Sequence, residues 1–151
     1  MSAQKLNNLL KLGKLISQER DLDRLLHIFN DFNRDIVEAD RCSIYLYDPQ
    51  NNELETVVAH GIKEKIRIPV DRGVAGYAFC TREQQIVVDA YNDFRFYKSV
   101  DSQTNYLTET ILAVPVFNSK NQAVGVIQAI NKRQGIFDHL DAECFILIAE
   151  Y

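Results

Sequence analysis

The hydrophobic period of this chain changes at Arg41, and that change limits the folds open to it. Before it, Leu22, Leu25, Leu26, Phe29, Phe32 and Ile36 recur at helical spacing. After it, Arg41-Cys42-Ser43-Ile44-Tyr45-Leu46-Tyr47 is a run of strand-forming residues. Asp48-Pro49-Gln50-Asn51-Asn52 is turn chemistry, and alternation resumes over 53–60, as in an antiparallel hairpin. Residues 110–117 and 123–130 read as two strong strands joined by the turn Asn118-Ser119-Lys120-Asn121-Gln122. Short strands fall at 65–68 and 85–88, and Gly73-Val74-Ala75-Gly76 opens a short helix running to about residue 81. The segment 89–109 is polar and aromatic without clear periodicity, and ordered segments of that length are often functional.

Helices flank this sheet. One spans about 6–17, with Leu9, Leu12 and Ile16 on one face and Leu6 and Leu10 beside them. A second starts at Asp21, a suitable N-cap, and its apolar stripe is expected to pack on the sheet. A last helix begins near Asp138 and carries Phe145, Ile146 and Ile148. Ala149-Glu150-Tyr151 has no stop signal, so this helix is expected to run on into a further domain. The order implies an α+β fold, an α/β sandwich. Its central antiparallel sheet has the N- and C-terminal helices on one face and the middle loops and short helix on the other.

With 151 residues the chain suits about one domain with its own core. Lys plus Arg number 17 against 21 Asp plus Glu, a net charge of −4, and no basic tract. That argues against nucleic-acid binding and against contact with an anionic membrane. It leaves room for one small anionic ligand. No apolar run is long enough to span a bilayer, and the N-terminus is not a signal peptide. Cys42, Cys80 and Cys144 are odd in number and far apart, read as three buried thiols in a reducing cytoplasm. With no CxxC and no Cys/His cluster, no metal site is expected. His27, His60 and His139 are scattered, and there is no GxSxG, P-loop or HExxH, so no catalytic residues are assigned.

A set of short motifs, taken in order, carries a resemblance. They are Arg41-Cys42-Ser43, Gly73-Val74-Ala75-Gly76, Asp89-Ala90-Tyr91, Phe96-Tyr97, Val100-Asp101, Thr104, Thr108 and Leu112-Ala113-Val114-Pro115-Val116. They end with Gly125-Val126-Ile127-Gln128-Ala129-Ile130-Asn131-Lys132, Phe137 and Asp141. Over about 21–151 the chain resembles the GAF domains, most of all those of cyclic-nucleotide phosphodiesterases and bacterial adenylyl cyclases. Residues 1–20 then stand apart as an N-terminal signalling and dimerisation helix.

The resemblance implies a ligand pocket. Ser43 matches a hydroxyl offered to base or ribose; the alternative is a strand hydroxyl bonded to nearby backbone. Val74 and Ala75 match a turn whose N–H groups take a phosphate, although such a turn also needs its glycines for conformation alone. Tyr97 matches an aromatic near the cyclic phosphate; alternatively it packs the loop down with Phe94 and Phe96. Asp101, Thr104 and Thr108 match polar lid positions; capping is the alternative, and the coincidence of three separated matches puts ligand contact ahead of it. Gln128 matches a base-reading Glu or Gln, and an amide that both donates and accepts suits adenine, which favours cAMP slightly over cGMP. Ala59-His60 matches a base-stacking and base-reading pair loosely; His60 either meets the base or sits at a strand end.

Asn131, Lys132, Phe137 and Asp141 match the family's structural motif, in which the Lys and Asp pair to fasten the last helix to the sheet. Ala142 stands where the family has Glu. One enzyme branch of the family reduces free methionine sulfoxide through pocket cysteines; its cysteine-bearing loop is absent, and only Cys80 is placed to face a pocket. The resemblance implies a non-enzymatic sensor binding a cyclic nucleotide, with no other cofactor, attached to an output domain. The Leu9, Leu12 and Ile16 stripe and the open-ended last helix fit a homodimer through the terminal helices. The competing reading is a dimerisation and relay module with an empty pocket or a different ligand.

Overall fold

The computed structural model describes residues 3–18, 21–62, 64–98 and 106–149. Helices α1 (Ala3–Gln18) and α2 (Leu22–Ile36) lead into strands β1 (Ala39–Asp48), β2 (Glu53–Ala59) and β3 (Arg67–Pro69). Helix α3 (Gly73–Thr81), β4 (Gln85–Val87) and a 3-10 turn (Ala90–Asn92) follow. Then come β5 (Ile111–Phe117), β6 (Ala123–Lys132) and the last helix, α4 (His139–Ala149). The six strands form one sheet in the order β3-β2-β1-β6-β5-β4, every neighbouring pair antiparallel. This is the α+β sheet expected from the alternating runs.

Strand alternation separates two cores. Cys42, Leu112, Val114, Ile127 and Ala129 point toward α2 and α4, where Ile36, Phe137, Ala142, Phe145 and Ile148 close over them. Tyr45, Ile111, Ala113 and Val126 point to the other face, under Val74, Ala75 and Ala78 of α3. β1 starts at Ala39, two residues before the expected start, because β6 continues to Lys132 and pairs with it. β3 lies at 67–69 rather than 65–68 and, as an edge strand, tolerates Pro69.

The helices hold some surprises. Asp21 caps α2 as expected, accepting from Asp23 N–H at 3.0 Å. Phe29, Phe32 and Ile36 pack on the sheet, but Leu22 at the first turn is exposed. The buried face of α2 also includes Asn30 and Asn33, which apolar periodicity does not reveal. The side chains of Leu9, Leu12 and Ile16 lie outside the described residues; Leu6 and Leu10 are exposed. On α4, Phe145 and Ile148 are buried, whereas Ile146 faces solvent. Cys42 and Cys144 are buried, but Cys80 is exposed, with its thiol 3.4 Å from the Val70 carbonyl oxygen. That corrects the expectation of three buried thiols.

The start of α4 is a reciprocal cap. Asp141 N–H donates to Asp138 Oδ1 at 2.9 Å, and Asp138 N–H donates to Asp141 Oδ2 at 3.1 Å. The Asp141 N–H holds the Asp138 carboxyl below the usual carboxylate range. Lys132 Nζ reaches the same Asp141 Oδ2 at 2.7 Å, and Asp141 is only 2% exposed. The pair is therefore buried rather than solvated. Phe137 fills the space beneath it, and Ala142 is fully buried against the sheet while Glu143 is exposed. A Glu side chain at 142 would need the room this core now fills.

Removing one partner of a buried pair leaves the other charge uncompensated. Asp141→Ala is expected to lower unfolding free energy by about 3 kcal/mol, read from urea denaturation. Lys132→Met together with Asp141→Leu is expected to recover part of that loss. A single variant as stable as the unchanged chain would show that the pair does not fasten α4.

Candidate functional site

The central strands provide the floor of a cleft on the face opposite α2 and α4. Ser43 of β1 stands beside Gln128 of β6 in the ladder, and both side chains line the cleft. Along the two strands the pairs run Arg41 with Ile130, Ser43 with Gln128, then Tyr45 with Val126. From Arg41 to Tyr45 is four residues, roughly 13 Å of strand. α3 packs over the Tyr45 and Val126 end, so the cleft has two chemically different ends. The space between its walls is about 660 Å³, open mouth included.

The α3 end presents a helix start to the cleft. Gly73, Val74 and Ala75 line the cleft at the first turn of the helix. No side chain caps this end, and its first turn carries no acidic residue. The first N–H groups of a helix have no intrahelical partner, and the helix dipole adds to their positive field. Gly73 has φ +78°, and a Cβ there would stand 3.3 Å from Cβ of Tyr97. Both the backbone and the neighbouring ring therefore call for glycine. Tyr97 lines this end. Phe94, expected to pack the loop with it, is 84% exposed and meets only the Tyr77 ring edge-on among the described residues.

The opposite end carries Arg41, Ala59, His60, Tyr106 and Thr108. His60 is spoken for. Cys42 N–H donates to its Nδ1 at 2.9 Å, so the proton sits on Nε2, 2.7 Å from Asp31 Oδ1. Asn30 Nδ2 donates to the Cys42 carbonyl at 3.0 Å beside it. The ring lines the cleft, but its donor goes to Asp31 rather than to a ligand. On the floor, burial pushes the Tyr45 phenol up to about 12, a hydrogen bond with Ser43 opposing it. The Ser43 hydroxyl is thus partnered within the protein while still lining the cleft.

Thr108 is 2% exposed and lines the cleft on the segment returning from the lid. Asn131 holds that segment. Its Oδ1 accepts from Glu109 N–H at 2.6 Å and Thr110 N–H at 3.1 Å. Its Nδ2 donates to the Leu107 carbonyl at 2.9 Å and to the Tyr106 hydroxyl at 3.0 Å. Asn131 has φ +59°, a conformation asparagine tolerates better than most residues. Tyr106 also donates to Asp40 Oδ2, and its phenol is pushed up to about 12 by burial and by that carboxylate. Asp101 and Thr104 lie outside the described residues.

Sequence reasoning assigned no role to Arg41 or Tyr106. Arg41 sat within a quoted motif, and Tyr106 sat in a segment without periodicity. Only the contact between them marks either one. Cys80, expected to face the pocket, is not among the residues lining the cleft. Cys42 reaches the cleft wall, but its thiol belongs to the core under the helices, where burial pushes it far up. Among the described residues no group of three or more His, Cys, Asp or Glu is placed to hold a metal ion. No helix of those residues is long and apolar enough to cross a membrane.

Comparisons with known proteins agree with this architecture. The family model described as the GAF domain matches residues 21–150. The probable 3',5'-cyclic phosphodiesterase pde-5 of Caenorhabditis elegans is 33% identical over 144 residues, covering 86% of this chain and 20% of that protein. The dual 3',5'-cyclic-AMP and -GMP phosphodiesterase 11A of Takifugu rubripes is 33% identical over 135 residues, covering 82% of this chain and 15% of that protein. The chain thus spans a fifth or less of the length of these relatives. Among solved structures, the GAF domain of an Acinetobacter phosphoenolpyruvate-protein phosphotransferase superposes with a TM-score of 0.83 at 22% identity, covering 99% of this chain and 90% of that one. The free methionine-R-sulfoxide reductase of Neisseria meningitidis gives a TM-score of 0.80 at 21% identity, covering 99% and 88%. At those identities the likeness is one of fold.

Entry to the lid is tied down by an ion pair. Arg95 Nη2 meets Asp93 Oδ2 at 2.7 Å, while Arg95 Nη1 reaches Gln85 Oε1 at 2.7 Å and Nη2 the Ile86 carbonyl at 3.1 Å. The Arg95 guanidinium holds the Asp93 carboxyl below its usual value. A depressed carboxyl stabilises above the unfolded value, near 3.9, and loses that contribution as pH falls through the folded one. Hydrogen exchange over 93–98, corrected for intrinsic rates, is expected to be equal at pH 7 and 5 and faster at pH 3. Equal protection at pH 3 would show that the pair does not hold the lid base.

Proposed function

Because the chain belongs to the GAF domain family, we propose that it is the regulatory sensor domain of a larger phosphodiesterase-like signalling protein and that its cleft takes a cyclic nucleotide. The observation that carries this reading is the cleft with two unlike ends. An uncapped helix start with small residues faces one end, as a phosphate requires. Roughly 13 Å along the strands, past Ser43 and Gln128, the other end offers polar and aromatic side chains to a base. That the relatives are named as phosphodiesterases of cyclic nucleotides supports the choice of ligand. Ser43, Val74, Ala75, Tyr97, Thr108 and Gln128 line the pocket in this reading. Asp101 and Thr104 belong to its lid, and His60 contributes its ring face. Gln128 taken alone favours adenine.

We assign it no reaction. Thiol chemistry needs a reactive thiolate. The Cys42 and Cys144 thiols sit in the helix-side core, and Cys80 is exposed away from the cleft lining. Regulation in this reading comes from the ligand binding one arrangement of the lid more tightly than another. An attached output domain receives that bias through the terminal helices. In solution the domain works in a cytoplasmic protein, with no nucleic-acid or membrane partner.

Isothermal titration of the purified chain with cAMP and with cGMP tests the ligand, once mass spectrometry has shown that none co-purified. Saturable binding near one ligand per chain is the expected outcome. Thr108→Ala is expected to weaken it by about fivefold, the loss of roughly one hydrogen bond, without changing the melting temperature by more than a few degrees. Undiminished affinity removes Thr108 from the pocket. No heat from either nucleotide on a folded, empty chain returns the domain to the reading of a relay module.

That second reading is favoured by one arrangement. The sheet carries α2 and α4 on one face, α1 packs on α2, and Leu140, Ile146 and Leu147 of α4 are exposed there. A homodimer formed through the terminal helices fits that face. Leu9→Asp is expected to shift the sedimenting species from dimer to monomer at micromolar concentration. An unchanged sedimentation profile counts against pairing through α1.

A further inference from the structure

The guanidinium of Arg41 packs against Tyr106 and Gly61. Its Cζ lies 3.8 Å from the centroid of the Tyr106 ring. It also lies against Gly61, where a Cβ would come within 2.6 Å of Cζ. The Tyr106 ring is itself fixed, its hydroxyl bonded to Asp40 and accepting from Asn131 at 3.0 Å. Among the described residues the guanidinium makes no hydrogen bond or ion pair. It lines the cleft two residues from Ser43, at the end away from α3.

We propose that Arg41 is a specificity-determining residue that donates to O6 and N7 of a guanine base, so that the cleft prefers cGMP to cAMP. This rests on the cyclic-nucleotide reading above. Arginine offers a rigid fork of donors and no acceptor. Guanine presents two adjacent acceptors, O6 and N7, whereas adenine presents N7 beside the N6 amino donor. Facing adenine, one arm of the fork meets a donor and is left unpaired. The stacking on Tyr106 and Gly61 leaves little side-chain freedom to lose when the base arrives. The other residues here do not oppose the preference. His60 has both nitrogens engaged, and the Gln128 amide turns to serve either base.

The test is calorimetric titration of the full 151-residue chain with cGMP, cAMP and 7-deaza-cGMP, which keeps O6 and lacks N7. The expected result is cGMP tighter than cAMP by about tenfold or more, as a bidentate base contact gives. 7-deaza-cGMP is expected to bind several-fold more weakly than cGMP. Arg41→Lys, which keeps the charge and loses the fork, is expected to abolish the preference while leaving cAMP affinity within about twofold. Arg41 is overturned as the reader if cAMP binds the unchanged chain as tightly as cGMP, or if 7-deaza-cGMP binds as tightly as cGMP. It is also overturned if Arg41→Lys weakens both nucleotides equally, the mark of a residue that only props Tyr106. Where the variant fails to fold, the 7-deaza comparison on the unchanged chain decides. Binding of neither nucleotide to the unchanged chain is a separate outcome, and it overturns the cyclic-nucleotide reading together with this one.

Discussion

Two adjacent side chains at the end of β6 tie the two faces of the sheet to each other. Gln128 and Ile130 line the cleft and Ile127 and Ala129 face the helices, but the φ of +59° at Asn131 breaks that alternation, so Asn131 meets residues 106–110 and Lys132 meets the last helix. Asn131 gathers the returning lid segment with four hydrogen bonds, to Tyr106, Leu107, Glu109 and Thr110. Lys132 makes the buried pair with Asp141 that anchors the first turn of α4. The backbone between them is also engaged, with Asn131 N–H donating to the Thr110 carbonyl and Lys132 N–H to Thr110 Oγ1. The segment 106–110 and the first turn of α4 are thus held by two consecutive residues of one strand.

The cleft's polarity follows from how its groups are already committed. At the Arg41 end, structural demands take up His60 between Cys42 and Asp31, and Asn30 between His60 and the Cys42 carbonyl. These contacts fix the β1–β2 corner where the strands diverge. Among the described residues the Arg41 guanidinium makes no hydrogen bond or ion pair, while the opposite end carries the uncapped start of α3. Both ends are then donors, separated by a floor of hydroxyl and amide. A ligand with acceptors at its two ends matches that pattern better than one presenting a donor to Arg41.

Much of this fold was legible in the sequence because alternation and turn chemistry are local. The strands β1, β2, β5 and β6 and the Asp21 cap follow from local spacing, whereas the Lys132–Asp141 pair is implied by the resemblance to the family motif. Misreadings arose where tertiary contacts override a local pattern. Leu22 continues an apolar stripe yet stands at a helix end with no sheet beneath it. Asn30 and Asn33 interrupt the stripe yet are buried, Asn30 through the Cys42 carbonyl that it meets. Cys80 has apolar sequence neighbours, but it occurs on the outer side of α3. Arg41 and Tyr106 are 65 positions apart by their numbering, and nothing local to either says that they stack. His60 was a ligand candidate by position, and only the geometry of Cys42 and Asp31 shows that its nitrogens are taken.

The similarity in fold to a methionine sulfoxide reductase and to phosphotransferase GAF domains shows how little a shared sheet decides by itself. The same floor serves different chemistry according to what the loops and strand ends bring over it. Here the thiols lie under the helices or outside the cleft, and the groups that converge on the floor are hydroxyls, an amide, a helix start and a stacked guanidinium. None of those is a nucleophile with a base beside it, and all of them are hydrogen-bonding groups held in fixed directions. Fixed directions are what discrimination between similar ligands requires, since a donor that can swing away penalises no wrong partner. The hydrogen bonds on Tyr106 and Asn131 fix the cleft wall as well as the fold.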